Sequence, residues 1–242
     1  MKNKEKILLI IPAFNEEKSI LNVYKLIMEF NKKNKTNYDV IVINDGSYDD
    51  TEKVLIENQI PHIELIHNLG IGGAVQTGYK YAYKNNYDIA IQFDGDGQHD
   101  IRYVEKIITP ILENQADMVI GSRFIDKEES TFHSSFLRRI GIKLISSVIK
   151  LKTGKTILDT TSGFRAVNKR TIKLFSKNYP IEYPEPISSV NAITSGFKIK
   201  EISVNMLERK EGTSSIKTWK SAYYMINVIL TILLMKKGVK HE

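Results

Sequence analysis

The sequence predicts an α/β fold, a mostly parallel central sheet flanked by helices, built as one domain over residues 1–216 and followed by an amphipathic helix over 217–242. Two observations carry this. Short β-branched runs alternate with amphipathic stretches through the first 120 residues, and a polar motif closes each of the first four runs. Such a βαβα rhythm needs crossover helices on both sheet faces and places ligands beyond the carboxyl ends of the strands. Strands are expected at Lys6–Ile11, Tyr38–Ile43, His62–Ile66, Asp88–Phe93 and Asp117–Ile120. After residue 121 the rhythm breaks. A basic helix is expected from about Ser134 to Leu151, then a Thr/Ser/Gly segment, a stretch marked by Pro180, Pro184 and Pro186, and a last strand near Lys198–Val204.

The 242 residues, 42% hydrophobic, suffice for one well-buried core. No cysteine is present, so disulfides and thiolate metal sites are excluded and any metal must take oxygen or imidazole ligands. That usage fits the cytoplasm. The apolar run Ile7–Ile11 is too short for a secretory leader and reads as a first strand. The net charge of +7 conceals a division, since residues 1–120 carry 13 Lys/Arg against 18 Asp/Glu and residues 121–242 carry 22 against 10. An acidic half suits a cation, and a basic half suits an anionic partner. No nucleic-acid module accompanies the basic residues, so nucleic acid is not the expected partner.

Asp94-Gly95-Asp96-Gly97-Gln98 sets two carboxylates and an amide at alternating positions after an apolar strand, so all three side chains can point one way. Oxygen ligands of this kind suit Mg²⁺ or Mn²⁺, which bridges a diphosphate and neutralises the charge on a departing nucleotide. A solvated acidic turn has the same composition. Gly70-Ile71-Gly72-Gly73-Ala74 begins like a dinucleotide fingerprint, but Val75 stands where its last glycine belongs, which weakens an oxidoreductase assignment. These glycines serve a tight strand-to-helix turn and close backbone approach. Asp45, in Asn-Asp-Gly-Ser, either accepts a bond from a nucleobase or ribose or simply makes a turn.

IPAFNEE, VINDGSYDDT, NLGIGGAVQTGY, QFDGDGQHD and GSRF occur in an order and spacing that resemble the family 2 glycosyltransferases. LDTTSGFRAV and ERKEGTSSI resemble the branch that makes polyprenyl-phosphate sugars, the dolichol-phosphate mannose synthases and bactoprenol glycosyltransferases. The resemblance implies a glycosyltransferase A-type fold and an inverting transfer from a nucleotide-sugar donor, with UDP-glucose or UDP-N-acetylglucosamine as first choices. It implies a nucleoside pocket lined by Pro12, Phe14, Glu16, Ile43 and Asp45, with Asp94 near ribose or metal, and Asp96 and Gln98 as metal ligands. It also implies that Arg123 and Arg209 face phosphates, where guanidinium forks match phosphate oxygens; surface ion pairs are the alternative. Ser215 stands where mannose-transferring relatives often have lysine, which counts against a mannose donor.

A sugar hydroxyl needs a general base to attack, whereas a lipid phosphate is already anionic. Hydroxyl-directed relatives commonly show Q-x-x-R-W, absent here, where Trp219 sits in Thr-Trp-Lys. A polyprenyl phosphate acceptor is therefore expected, with Arg138, Arg139, Arg165 and Arg209 as candidate clamps. Asp159 is either a sugar-orienting carboxylate or base, or a cap on the turn at Thr160 to Gly163. His99 points away from Asp96 and Gln98 by parity and is expected behind the metal motif. Rival functions are transfer to a glycan or protein hydroxyl, and a catalytically idle protein that only binds nucleotide sugars.

The run Ala222–Met235 falls short of the roughly 20 residues that span a bilayer. On a helical wheel Lys217, Lys220, Tyr224, Asn227 and Thr231 share one arc, with an apolar remainder, as in helices that lie in a membrane interface; packing into the core is the alternative. The expected location is the cytoplasmic membrane face, peripherally bound, with a small membrane protein or self-association as the anchor.

Overall fold

A computed structural model describes residues 5–125, 136–207 and 218–235. Seven strands form one sheet in the order β3-β2-β1-β4-β6-β5-β7. They are β1 (Ile7–Ala13), β2 (Tyr38–Asn44), β3 (His62–Glu64), β4 (Ile89–Gln92), β5 (Met118–Ser122), β6 (Arg165–Asn168) and β7 (Ile199–Ser203). All neighbours run parallel except β6, which is antiparallel to both β4 and β5. The helices are α1 (Ile20–Asn34), α2 (Thr51–Glu57), α3 (Gly70–Lys84), α4 (Val104–Leu112), α5 (Phe136–Thr153), α6 (Lys169–Lys177), α7 (Pro184–Thr194) and α8 (Thr218–Leu234).

Alternation along β1 divides the interior. Ile7, Leu9, Ile11 and Ala13 pack with Ile20, Val23 and Ile27 of α1 and Val104, Ile107 and Ile111 of α4. Leu8 and Ile10 face the opposite layer, with Ala74, Val75 and Tyr79 of α3, Ile145 and Ile149 of α5, and Phe175 of α6. That layer forces one glycine choice: a Cβ on Gly78 would stand 2.2 Å from Ile10 Cγ2, so α3 can lie this close to β1 only with glycine there.

All six expected strands form, with ends displaced by up to two residues. Proline is unusual in a central strand, yet Pro12 continues β1. Pairing with β4 has stopped at Ile10 opposite Gln92, so on that side Pro12 removes no N–H from the ladder. The seventh strand, β6, was not expected. Its four residues follow Thr-Thr-Ser-Gly-Phe, and the charged Arg165 opens it.

α8 lies against α5 and α7. Val228 and Ile232 are fully buried, Met225 packs so near Gly141 that a Cβ there would overlap its sulfur, and Lys152 Nζ donates to the Leu233 carbonyl at 3.0 Å. Tyr224, placed by sequence on the outer polar arc, turns inward to meet Tyr183 edge-on at 4.9 Å. The opposite arc, Tyr223, Ile226, Leu230, Leu233 and Leu234, is exposed. α8 is thus apolar on its buried face and its outer one, with Asn227 and Thr231 at the border between them.

Candidate active site

β1 has β2 on one side and β4 on the other, and the chain returns to the sheet in opposite directions from it. A crevice opens at such a switch point, beyond the strands' carboxyl ends. Here it is a cleft of about 480 Å³ lined by Pro12, Ala13, Phe14 and Glu16 after β1, Asp45 after β2, Asn68, Gly70, Ile71 and Ala74 around the start of α3, and Asp94, Gly95 and Asp96 after β4. Because β6 runs antiparallel, the loop before it reaches the same edge and adds Thr161 and Gly163. Glu185, near the start of α7, completes the wall.

At the β1 and β2 end, Asp45 is buried and its Oδ1 accepts the Leu69 N–H at 2.8 Å, tying β2 to the approach of α3. Burial pushes its carboxyl pKa up, against the bonds from the Leu69 and Gly70 amides. Glu16 Oε2 accepts the Ser19 hydroxyl, and its amide donates to Thr51 Oγ1 at 2.9 Å. Phe14 is partly exposed and meets the exposed Tyr48 ring edge-on at 5.8 Å. The glycine run meets its geometric purpose: Gly70 opens α3 at φ +76°, and a Cβ on Gly72 would come within 2.5 Å of the Pro180 and Ile181 carbonyl oxygens.

In the acidic motif, Asp96 Oδ1 accepts the Gln98 N–H at 3.0 Å, an Asx turn whose next residue, Gly97, has φ +77°. His99 lies beneath, its ring stacked on Phe164 at 4.7 Å and edge-on to Phe93 at 5.4 Å. Its Nδ1 accepts the Asp94 N–H at 2.9 Å, which leaves Nε2 as the protonated nitrogen, 3.4 Å from Asp94 Oδ2. His99 therefore braces Asp94 from behind. From the far side Gly163 closes in so tightly that a Cβ would lie 2.9 Å from Asp94 Oδ2 and from Gln92 Nε2. The face of the Asp94 carboxylate is kept clear by the want of a side chain there.

A hard divalent cation fits this donor set, because Mg²⁺-type sites use one or two carboxylates and complete their shell with substrate phosphates and water. Asp94 and Asp96 supply the carboxylates at the cleft. The Gln98 side chain is not part of its wall, and among the described residues no group of three acidic or imidazole side chains is assembled to hold a metal alone.

A second cavity, of about 600 Å³, lies beside Arg123 and Phe124 and is walled by Arg139, Ile142, Lys143, Ser146 and Ser147 of α5 and by Leu158. Arg123 and Asp159 form a buried ion pair at its edge. The guanidinium donates from Nε to Asp159 Oδ2 and from Nη2 to Oδ1, both at 2.7 Å, and the Arg123 amide also donates to Oδ2, at 3.0 Å. Nη2 donates to Thr161 Oγ1 at 2.9 Å, so a residue in the wall of the first cleft is bonded to one in the wall of the second cavity. Asp159 is 0% exposed and is itself seated by Glu201, which accepts the Leu158 and Asp159 amides at 2.7 and 2.8 Å. Burial pushes the Glu201 pKa up.

Several expected site residues therefore meet: Pro12, Phe14, Glu16, Asp45, Asp94 and Asp96 line one cleft. Ile43 does not reach it. Its side chain is fully buried under α3 with Ala74 and Val75. Arg165, expected as a phosphate clamp, is only 1% exposed and works inside the fold, donating to the carbonyls of Ser162 and Glu185 at 2.7 Å and to Ser188 Oγ at 2.9 Å. Arg209 and Ser215 lie outside the described residues, as does the Arg138 side chain. The residues that sequence reasoning missed are Gly163 and Glu185. The flanking prolines Pro184 and Pro186 were the one available signal for the latter.

A mostly parallel sheet with an acidic, oxygen-lined cleft at its switch point is the arrangement of the A-type glycosyltransferases. The chain belongs to glycosyl transferase family 2, whose model matches residues 8–175. It is 34% identical over 211 residues to a UDP-N-acetylglucosamine–dolichyl-phosphate N-acetylglucosaminyltransferase of Methanococcus voltae, covering 80% of this chain and 81% of that one. It is 24% identical to the polyprenol monophosphomannose synthase of Mycolicibacterium smegmatis, over 88% of this chain and 81% of the other. In fold it is similar to the glucosyl-3-phosphoglycerate synthase of Mycobacterium tuberculosis solved with Mn²⁺, UDP-glucose and phosphoglyceric acid, with a TM-score of 0.69 at 18% identity, over 96% of this chain and 80% of that one.

Proposed function

We propose that the protein transfers a hexosyl or N-acetylhexosaminyl group from a uridine diphosphate sugar to a polyprenyl phosphate. The carrying observation is a pair of cavities whose walls are tied by the Arg123–Thr161 hydrogen bond: an acidic cleft, and a larger cationic cavity with apolar side chains in its wall. The Methanococcus and Mycolicibacterium relatives, named for dolichyl phosphate and polyprenol products, support that acceptor, and the former's UDP-sugar supports the nucleotide.

In this reading Phe14 and Asp45 hold the nucleoside. Asp94 and Asp96 hold Mg²⁺ or Mn²⁺, which when bound neutralises the charge of the departing diphosphate. Arg139, Lys143 and Arg123 draw the acceptor phosphate into the second cavity. Asp159 sets the Arg123 fork and does not act as a base, since both its oxygens are engaged and the acceptor is already an anion. Attack from the face opposite the nucleotide inverts the anomeric carbon.

The test offers undecaprenyl phosphate and undecaprenol side by side with labelled UDP-glucose and UDP-N-acetylglucosamine. Transfer to the phosphate alone is expected. Transfer to the free alcohol at a similar rate, or to neither, sinks the reading.

The acceptor lives in a bilayer, and among the described residues no helix is long and apolar enough to cross one. The outer arc of α8 and the exposed Ile140, Leu144 and Leu151 of α5, beside Arg139, Lys143 and Lys150, form the membrane-facing surface in this proposal. Replacing Ile226 and Leu230 together by aspartate should cut sedimentation with anionic liposomes by about tenfold while leaving the melting temperature near the parent's, because both side chains are exposed. Unchanged sedimentation would move the membrane face elsewhere.

A further inference from the structure

Glu185 is an acid in the cleft that the reaction outlined above does not use. Its carboxylate takes no hydrogen bond from any described side chain and, beyond its own residue's amide, is left to face the cleft, whereas Asp45 and Asp94 are held by other residues. Its mount is rigid. Pro184 and Pro186 flank it, Tyr183 before it is held at φ +51°, and its carbonyl accepts Arg165 Nη1 at 2.7 Å and Ser189 Oγ at 2.9 Å. Arg165 also grips the Ser162 carbonyl, so one buried guanidinium fixes the wall segments that carry Gly163 and Glu185. A carboxylate carried on backbone held this firmly, at the Asp94 end of the cleft, is placed to recognise something.

A carboxylate can only accept hydrogen bonds. Of the parts of a nucleotide sugar, the diphosphate is an anion that Glu185 repels, and the nucleoside lies at the Phe14 and Asp45 end in the reading above. What remains is the sugar, which presents hydroxyl donors. We propose that Glu185 is the residue that reads the transferred sugar, accepting bonds from the hydroxyls of an uncharged hexosyl or N-acetylhexosaminyl group and rejecting donors whose sugar carries a carboxylate. This rests on the nucleotide-sugar reading of the cleft. Burial raises the Glu185 pKa, against the attraction of the nearby Arg165 guanidinium and a bond from its own amide, which fits a largely desolvated acid whose bonds to hydroxyls are strengthened by its surroundings.

Glu185→Gln and Glu185→Leu suit the test, because the hydrogen bond from Arg165 goes to the Glu185 backbone carbonyl and survives both changes, and both lose the carboxylate's attraction to Arg165 alike. Binding of UDP, UDP-glucose, UDP-N-acetylglucosamine and UDP-glucuronate to the full chain is measured calorimetrically with Mn²⁺, with transfer assayed in parallel. UDP affinity should stay within about twofold of the parent in both variants, which reports an intact cleft. The added affinity of the preferred UDP-sugar over UDP should fall by about tenfold or more in Glu185→Leu, the loss expected when a buried hydroxyl loses a charged partner. In Glu185→Gln the discrimination against UDP-glucuronate should shrink. If both variants keep the parent's ratio of UDP-sugar to UDP affinity and its ranking of donors, Glu185 does not read the sugar, although the parent remains a transferase. A parent that binds no nucleotide sugar overturns this proposal and the functional reading together.

Discussion

Asp159→Ala is expected to lower the unfolding free energy by about 3–5 kcal/mol, because it takes from the buried Arg123 guanidinium the carboxylate that balances its charge. The carboxylate meets Arg123 through three N–H groups and is wholly enclosed, so no solvent takes its place. Set against the roughly 5–15 kcal/mol by which domains are stable, that is a large share. Transfer should vanish with it, since Arg123 and Thr161, which tie the walls of the two cavities, would lose their setting. Asp159→Asn keeps the shape and loses the charge, and should fall between. The paired change Arg123→Met with Asp159→Leu separates the two roles: it removes both charges, so urea stability should return toward the parent, while acceptor-dependent transfer stays lost. Urea melts, UDP affinity and sugar transfer measured on the parent and the three variants decide this. A single Asp159→Ala variant within 1 kcal/mol of the parent, or a double variant that transfers sugar, would contradict the assignment.

What the sequence disclosed and what it hid divide along a physical line. β1, β2 and β4 are buried on both faces and connected by local crossovers, so their apolar runs and the polar residues closing them can be read from neighbouring positions alone. Phe14, Asp45, Asp94 and Asp96 inherit that legibility, because a strand's carboxyl end fixes where the next residues go. β6 does not share it. Its four residues form a strand only because β4 and β5 supply partners on either side, and the antiparallel course that brings Gly163 to Asp94 is a tertiary fact. Glu185 is more remote still, brought to the cleft by α7 and fixed by Arg165, whose buried role no local pattern records. Ile43 erred in the other direction: it precedes Asn44 and Asp45 closely enough to be drawn into their motif, but pleat parity turns it under α3. The α8 wheel could not separate an apolar face that packs from one that does not, as both are made of the same residue types.

Asp96→Ala should reduce sugar transfer by roughly a thousandfold, the scale of removing a group that stabilises charge developing in the transition state. Asp96 is chosen over Asp94 because Asp94 is also held by His99, and changing it disturbs the packing against Phe93 and Phe164. Asp96 is only partly buried, and Gly97 already holds the turn's positive φ, so the alanine variant should melt near the parent temperature. Asp96→Asn is the sharper comparison. It can keep the Asx bond to the Gln98 amide that the carboxylate makes at 3.0 Å, but it gives up the negative charge. If Asp96 only shapes the loop, asparagine should restore activity. If it binds a cation, asparagine should be nearly as inactive as alanine, and both should lose the Mn²⁺ binding seen by electron paramagnetic resonance in the presence of UDP. Parent protein treated with excess EDTA should then match the two variants. Full transfer by Asp96→Asn, or by the parent in EDTA, would remove the metal from the proposed reaction and leave the acidic motif as a turn.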